Sequence, residues 1–124
     1  MNILKRFFPL HLSDFTSYVT YSEYGYHKKR ITYCDPTCRN QEIGFIEYTP
    51  HTGKIHLFYI THKTYQSRGL GPQILTTVLD DMKQSGTKKA WLVTNIHPHP
   101  FWEKNNFIHT PHPHILLPVY TKEL

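Results

Sequence analysis

The run Gln66-Ser67-Arg68-Gly69-Leu70-Gly71 places two glycines one residue apart, directly before Pro72 and an apolar-periodic segment. Glycine reaches backbone angles closed to other residues and has no Cβ to hold a bound group away. A chain turning here into a helix would aim several backbone N–H groups at one point, and the helix terminus would add roughly half a positive charge. The chemistry on offer is anion binding, phosphate above all. Pro72 has no N–H to give, so the donors of such a cradle are the amides of Gln66, Ser67, Arg68, Gly69, Leu70, Gly71 and Gln73. The chain contains no G-x-x-x-x-G-K-[ST], and Ile74 stands where the dinucleotide fingerprint has its third glycine. Taken by itself, the pattern fits a plain turn into a helix as well as it fits a cradle.

A second group of chemistry-bearing residues is Cys34 and Cys38 together with His97, His99, His109, His112 and His114. Three residues between cysteines is compatible with zinc. No compact His pair follows at finger distance, and His-Pro-His repeats hold neighbouring rings apart in extended chain. No metal site is expected.

The elements that would position these residues read most clearly in the middle of the chain. Gln41–Thr49 (QEIGFIEYT) and Lys54–His62 (KIHLFYITH) are rich in β-branched and aromatic residues, and the intervening TPHTG supplies turn chemistry. They predict an antiparallel hairpin. From Pro72 to Ser85, residues Ile74, Leu75, Val78, Leu79 and Met82 fall on one face at helical spacing, with Gly86 as the stop. Lys88–Asn95 reads as a buried strand, Phe101–Asn106 as a short helix, and Ile115–Leu124 as a strand closing the sheet. Lys29–Asp35 is a further strand, and Ser13–Tyr26 leans to strand on its Tyr/Thr/Val content. With 124 residues, 39% hydrophobic and 15% aromatic, the chain fits one mixed α and β domain.

Gln66, Gly69 and Gly71 match the Q/R-x-x-G-x-G/A motif of the GNAT superfamily of acyl-CoA-dependent N-acyltransferases. The surrounding order is similar too: a strand, the loop, a helix, a strand leading to Asn95, then Phe101-Trp102-Glu103-Lys104-Asn105-Asn106-Phe107. That last run resembles the family's F-Y-x-K-x-G-F-like signature, order and spacing agree from Gln41 to Phe107, and VYTKEL resembles the closing strand. The resemblance implies an α/β fold with a mixed, mostly antiparallel central sheet flanked by helices, its N-terminal section shortened, as one domain over residues 1–124. It implies an N-acyltransferase that moves an acetyl group from acetyl-CoA to an amine by direct attack through a tetrahedral intermediate. The pyrophosphate would lie on the loop amides, and the pantetheine arm beside Tyr59, Ile60 and Thr61, with Asn95 and Trp102 also on the cofactor side. His56, on the strand before the loop, and Glu47, across the hairpin, are the candidate bases for the amine proton.

Three positions depart from the family pattern. Trp102 stands where many members carry a Tyr that protonates the departing thiolate, and an indole N–H is not a usable proton source. Asn106 replaces a Gly, and Pro98 delays the start of the short helix. Two other classes therefore stay open: a non-catalytic acyl-CoA-binding module, and a basic nucleic-acid-binding domain suggested by the net charge of +5. The basic residues are scattered, and the run Lys28-Lys29-Arg30 is expected in a solvated loop rather than a nucleic-acid stripe. No export signal or membrane span is read at MNILKRFFPLHL, and two cysteines suit a reducing cytosol. A homodimer built on the aromatic N-terminal part is open.

Overall fold

In the computed structural model, which describes residues 8–22 and 27–124, the elements run β1 (Thr16–Tyr21), β2 (Lys29–Asp35), β3 (Gln41–Thr49), β4 (Lys54–Ile60), α1 (Leu70–Gln84), β5 (Lys89–Val93), α2 (Pro100–Lys104), β6 (Ile108–His109) and β7 (Val119–Glu123). Short 3-10 turns at Leu12–Asp14 and Lys63–Tyr65 precede β1 and α1. One sheet takes all seven strands in the order β1-β2-β3-β4-β5-β7-β6. All neighbours are antiparallel except β4 and β5, which are parallel. This is the mixed, mostly antiparallel α/β sheet expected above.

Alternation explains why the hairpin forms and which face it buries. Ile43, Ile46 and Tyr48 of β3 are buried, with Phe45 and Glu47 turned to the other side. The buried face meets Leu70, Ile74, Leu75, Val78, Leu79 and Met82, which line one side of α1. Each such side chain contributes roughly 1.5–3 kcal/mol by leaving water. The helix ends where Gly86 takes a φ of 82°, with its N–H on the Lys83 carbonyl and that of Thr87 on the Met82 carbonyl. That pairing closes the last carbonyls of the helix, and a side chain at Gly86 would resist it.

The sequence reading needs correction at several places. Helix α1 starts at Leu70, not Pro72: Leu70 is already a core side chain, and proline is tolerated anywhere in the first turn because those amides have no helical acceptor. The closing strand is only Val119–Glu123, since Pro118 stops it, and β6 is too short to leave a pattern. The segment read as Ser13–Tyr26 is a strand over Thr16–Tyr21, while Glu23–Tyr26 lie outside the described residues. The basic run is not a solvated loop. Lys29 and Arg30 are in β2, where Lys29 reaches Asp81 at 3.0 Å and Arg30 stacks on Phe45 and pairs with Glu47 at 3.1 Å.

One irregularity shapes everything that follows. In the β3–β4 ladder Glu47 pairs with Leu57 and Tyr48 with Ile55, so His56 is skipped. An extra residue of this kind bends its strand and re-aims its side chain. On its other side β4 pairs with β5 at one position only, Lys54 with Trp91, just before the bulge. Past His56 the two parallel strands part.

Behind the sheet, Tyr48 is fully buried and its hydroxyl donates to Asp81 at 2.5 Å, while the Lys29 ammonium donates to the same oxygen. Burial works against the Asp81 carboxylate, but the Tyr48 and Lys29 bonds outweigh it and hold its pKa below the ordinary value. A carboxylate depressed in the folded state stabilises the protein above its unfolded pKa, and that contribution is lost as pH falls through the folded one. Tyr48→Phe is expected to lower unfolding free energy by about 1–2 kcal/mol in urea titrations. Asp81→Asn should show a shallower loss of stability than wild type as pH is lowered below about 4, and equal slopes would remove Asp81 from this role.

Candidate functional site

The parting of β4 and β5 leaves a cleft of about 440 Å³ whose walls are Ile55–Tyr59 on one side and Leu92–Ile96 on the other. A second cleft, of about 620 Å³, lies between the Gln66–Gly71 loop and α2. Phe58, His99 and Trp102 line both, so these three residues form the junction.

The loop is built as an amide cradle. Ser67 and Gly69 have φ of 58° and 91°, a succession that turns neighbouring N–H groups towards one side. Among the described residues, no protein acceptor takes the amides of Ser67, Arg68, Gly69, Leu70 or Gly71. Two expected donors are engaged elsewhere. Gln66 gives its N–H to the Lys63 carbonyl at 3.2 Å, and Gln73 stands one turn inside the helix, where the Gly69 carbonyl takes its amide. The two glycines have different reasons to be there. Gly69 takes a left-handed φ, whereas a Cβ at Gly71 would come within 2.9 Å of the Phe101 ring. Gly71 thus sets how closely α1 and α2 approach.

Several long side chains of this region point away from the cradle. The Gln73 side-chain amide accepts from the Leu12 N–H and donates to the Leu10 carbonyl, both at 2.8 Å, and it also donates to the Gly69 carbonyl at 2.9 Å, so it joins the N-terminal segment to the loop. Arg68 donates to the Phe8 and Thr64 carbonyls, each at 3.0 Å. Both side chains clasp the N-terminal segment. Gln66 donates its side-chain N–H to the Ile60 carbonyl at 2.8 Å, tying the loop to the end of β4. Leu70 is a core residue.

Along β4, the Thr61 N–H donates to the Ile43 carbonyl at 2.8 Å. Alternation in an antiparallel ladder then turns the Tyr59 backbone towards β3 as well, and leaves Phe58 and Ile60 facing the open side. Of the expected trio Tyr59, Ile60 and Thr61, only Ile60 presents its backbone there, and Phe58 is the partner the sequence reading missed. The Tyr59 side chain still lines the inter-strand cleft, packed on Phe45 at 5.5 Å between ring centres. Asn95 follows β5 on the opposite wall.

His56, re-aimed by the bulge, lines the same cleft, with Nε2 lying 2.8 Å from the Thr49 hydroxyl. Burial, and then the nearby Lys28 and Lys54 charges, push its pKa below the ordinary histidine value, against a smaller opposite pull from Glu47. It is neutral at neutral pH. Glu47 is not a cleft residue, and its carboxylate is held by Arg30 at 3.1 Å. The sequence reading treated the two as equals, and the structure separates them.

Trp102 is buried, its ring edge-on to Phe101 at 4.9 Å and Phe107 at 5.1 Å. In the second cleft, Tyr65 donates its hydroxyl to Asp35 at 2.6 Å, a bond that lifts its pKa to about 12. His99 was read only as part of a His-Pro tail. It is the N-cap of α2, its N–H donates to the Tyr120 hydroxyl at 3.0 Å, and its Nδ1 is sealed from solvent without a partner. An unpaired buried nitrogen costs about 1–3 kcal/mol, and being enclosed, Nδ1 is out of reach of a ligand in either cleft, which leaves Nε2 as the ring nitrogen that could meet one. The signal was available in its place just before the Phe101-Trp102 run.

A mixed sheet opened between two parallel strands, with an amide cradle at the mouth of the opening, defines an acyltransferase-type architecture. The acetyltransferase (GNAT) family model matches residues 2–107, and the chain belongs to that family. No curated protein sequence matches it. Among solved structures it is similar to the PaiA N-acetyltransferase of Thermoplasma acidophilum in complex with coenzyme A, at 19% identity and a TM-score of 0.63, covering 77% of this chain and 60% of that one. It is also similar to a GNAT family acetyltransferase of Elizabethkingia anophelis with acetyl-CoA bound, at 17% identity and 0.68, covering 90% and 99%. An acetyltransferase of Thermus thermophilus gives 18% and 0.60, covering 78% and 64%. The chain thus spans about three-fifths of the length of the Thermoplasma acidophilum protein.

The Gln73 clasp is directly testable. Gln73→Ala removes bonds to both Leu10 and Leu12, and is expected to lower stability by about 1–2 kcal/mol. Hydrogen exchange at the Leu12 amide should rise with it, and an unchanged Leu12 rate would show that the clasp does not hold that segment.

Proposed function

We propose that this protein transfers an acetyl group from acetyl-CoA to an amine. The observation that carries the reading is the set of unpartnered amides at Ser67–Gly71, placed at the mouth of a cleft that continues between the parted strands. The donor set fits a pyrophosphate: N–H groups concentrated at a helix start favour an anion, and Lys104 lines the same cleft. The Phe58 backbone and the Ile60 N–H offer groups that an amide-bearing arm can pair with as a sheet strand would, the Ile60 carbonyl being held by Gln66. Asn95 and Trp102 complete the walls.

When bound, acetyl-CoA supplies an acyl group activated as a thioester. The chain's own part is to hold that arm, exclude water with Phe58 and Trp102, and accept a proton from the incoming amine. His56 is the proposed base, neutral at working pH and inside the cleft. Glu47 is proposed as the residue that, through its ion pair with Arg30, steadies the strand beside His56. The acceptor is an amine in general. The proposed setting is cytosolic, in keeping with the free thiols of Cys34 and Cys38. No helix among the described residues is long and apolar enough to cross a membrane. For a homodimer, the exposed edge strand β1 is the proposed contact, to be checked by sedimentation across a concentration series.

Acetyl-CoA is expected to raise the melting temperature and to release free thiol in the presence of an amine panel. Gly69→Val, which strains a left-handed position in the cradle, should weaken acetyl-CoA binding about tenfold or more, the equivalent of roughly 1–3 kcal/mol. Wild-type binding in that variant would take the phosphate away from this loop.

The sign of the pH dependence follows from His56. Because its pKa is lowered, the neutral base persists below the ordinary value of 6.5, and kcat/KM is expected to fall only as pH drops through that lowered pKa. His56→Gln should reduce kcat by about 10²–10⁴-fold and abolish this acid limb. A variant that keeps the limb would transfer the role to another group.

A further inference from the structure

We propose that His99 is the catalytic acid that protonates the departing CoA sulfur. The inference rests on the acetyl-transfer reading above and adds to it a proton donor that neither the family match nor the sequence supplies. When the C–S bond breaks, the sulfur takes the bonding electron pair and must gain a proton. The acyl carbon keeps its new bond to the amine nitrogen, and the proton shed by that nitrogen goes to the base. A donor near the sulfur is therefore needed on the opposite side of the reaction from His56.

The junction of the two clefts is where an arm seated on the Ser67–Gly71 amides enters the gap between β4 and β5. Of the residues that line both clefts, Phe58 has no proton to give and the indole of Trp102 is not an acid at working pH, leaving His99. The other proton donors sit off the junction or are committed. Tyr65 lines only the loop cleft and is bonded to Asp35. Lys104 lines only the loop cleft, whereas Tyr59 and His56 line only the inter-strand cleft.

His99 is also held as a positioned donor would be, while its ring is left free. Its backbone N–H is fixed on the Tyr120 hydroxyl at 3.0 Å, and its carbonyl accepts from Glu103 at 3.1 Å. Tyr120 is fully buried and bonded at 2.8 Å to His97 Nδ1, so the anchor itself is rigid. Meanwhile, neither imidazole nitrogen makes a hydrogen bond to the described part of the protein, and Nδ1 is enclosed. The ring lies tilted against that of Trp102, with centres 6.2 Å apart.

The test compares CoA with desulfo-CoA, which lacks the sulfur, by titration calorimetry on wild type, His99→Gln and His99→Phe. Wild type is expected to prefer CoA by several-fold, and both variants to lose that preference while binding desulfo-CoA as wild type does. In steady-state assays with acetyl-CoA, the variants should lose about 10²-fold in kcat with KM for acetyl-CoA within about threefold. Retained CoA preference, or an unchanged kcat, overturns the assignment of His99 while leaving acetyl transfer intact. Absence of any CoA binding by the wild-type protein overturns both.

Discussion

The clefts depend on one of the two register shifts among the described residues of the sheet, the bulge in the β3–β4 ladder. His56 has no partner on β3, and from that point β4 turns away from β5 after sharing one register position with it. Antiparallel pairing with β3 continues to Ile60, so β4 stays anchored while its other edge opens. The opening is tolerable because its polar backbone faces a cleft rather than a sealed core. Buried without partners, each such group would cost about 1–3 kcal/mol. The same bulge that opens the cleft also swings the His56 side chain into it, so the site's shape and its proposed base have one cause.

A second constraint is how close α1 and α2 can come. Gly71 lets the Phe101 ring rest where a Cβ would intrude, and Phe101 in turn packs on Phe58 and Trp102. The aromatic group that results is the floor of the junction between the clefts. The two glycines of the loop thus divide between conformation at Gly69 and packing at Gly71. The charged and amide side chains nearby brace the loop, Gln73 bonding the Gly69 carbonyl and Arg68 that of Thr64 while both reach back to residues 8–12. On the proposed reading anion recognition is left to the backbone, which is insensitive to most substitutions that keep the turn.

Much of the fold was legible because its signals are local. The β3–β4 hairpin and α1 follow from alternation and from a 3.6-residue period over long, strongly patterned segments. The start of α1 was misplaced because proline was read as the first helical residue, when the buried Leu70 already belongs to the helix. What was not legible depends on register. A bulge is invisible in KIHLFYITH, since Ile55 and Phe58 both face the core across an odd spacing that only pairing with β3 reveals. For the same reason the choice among Tyr59, Ile60 and Thr61 could not be made from composition. Glu47 and His56 looked equivalent until Arg30, twenty-six residues from His56 in the chain, was seen to hold one of them.

A cleft made by parting two strands takes both of its walls from one sheet, Ile55–Tyr59 on one side and Leu92–Ile96 on the other. Tyr48, Met82 and Ile74 are fully enclosed and line neither cleft, whereas Ile55, Leu92 and Trp102 belong to the core and to a cleft wall at once. Part of the core thus doubles as the wall of the opening. The two clefts meet at Phe58, His99 and Trp102, which line both, so on the proposed reading packing there also sets the shape offered to the cosubstrate.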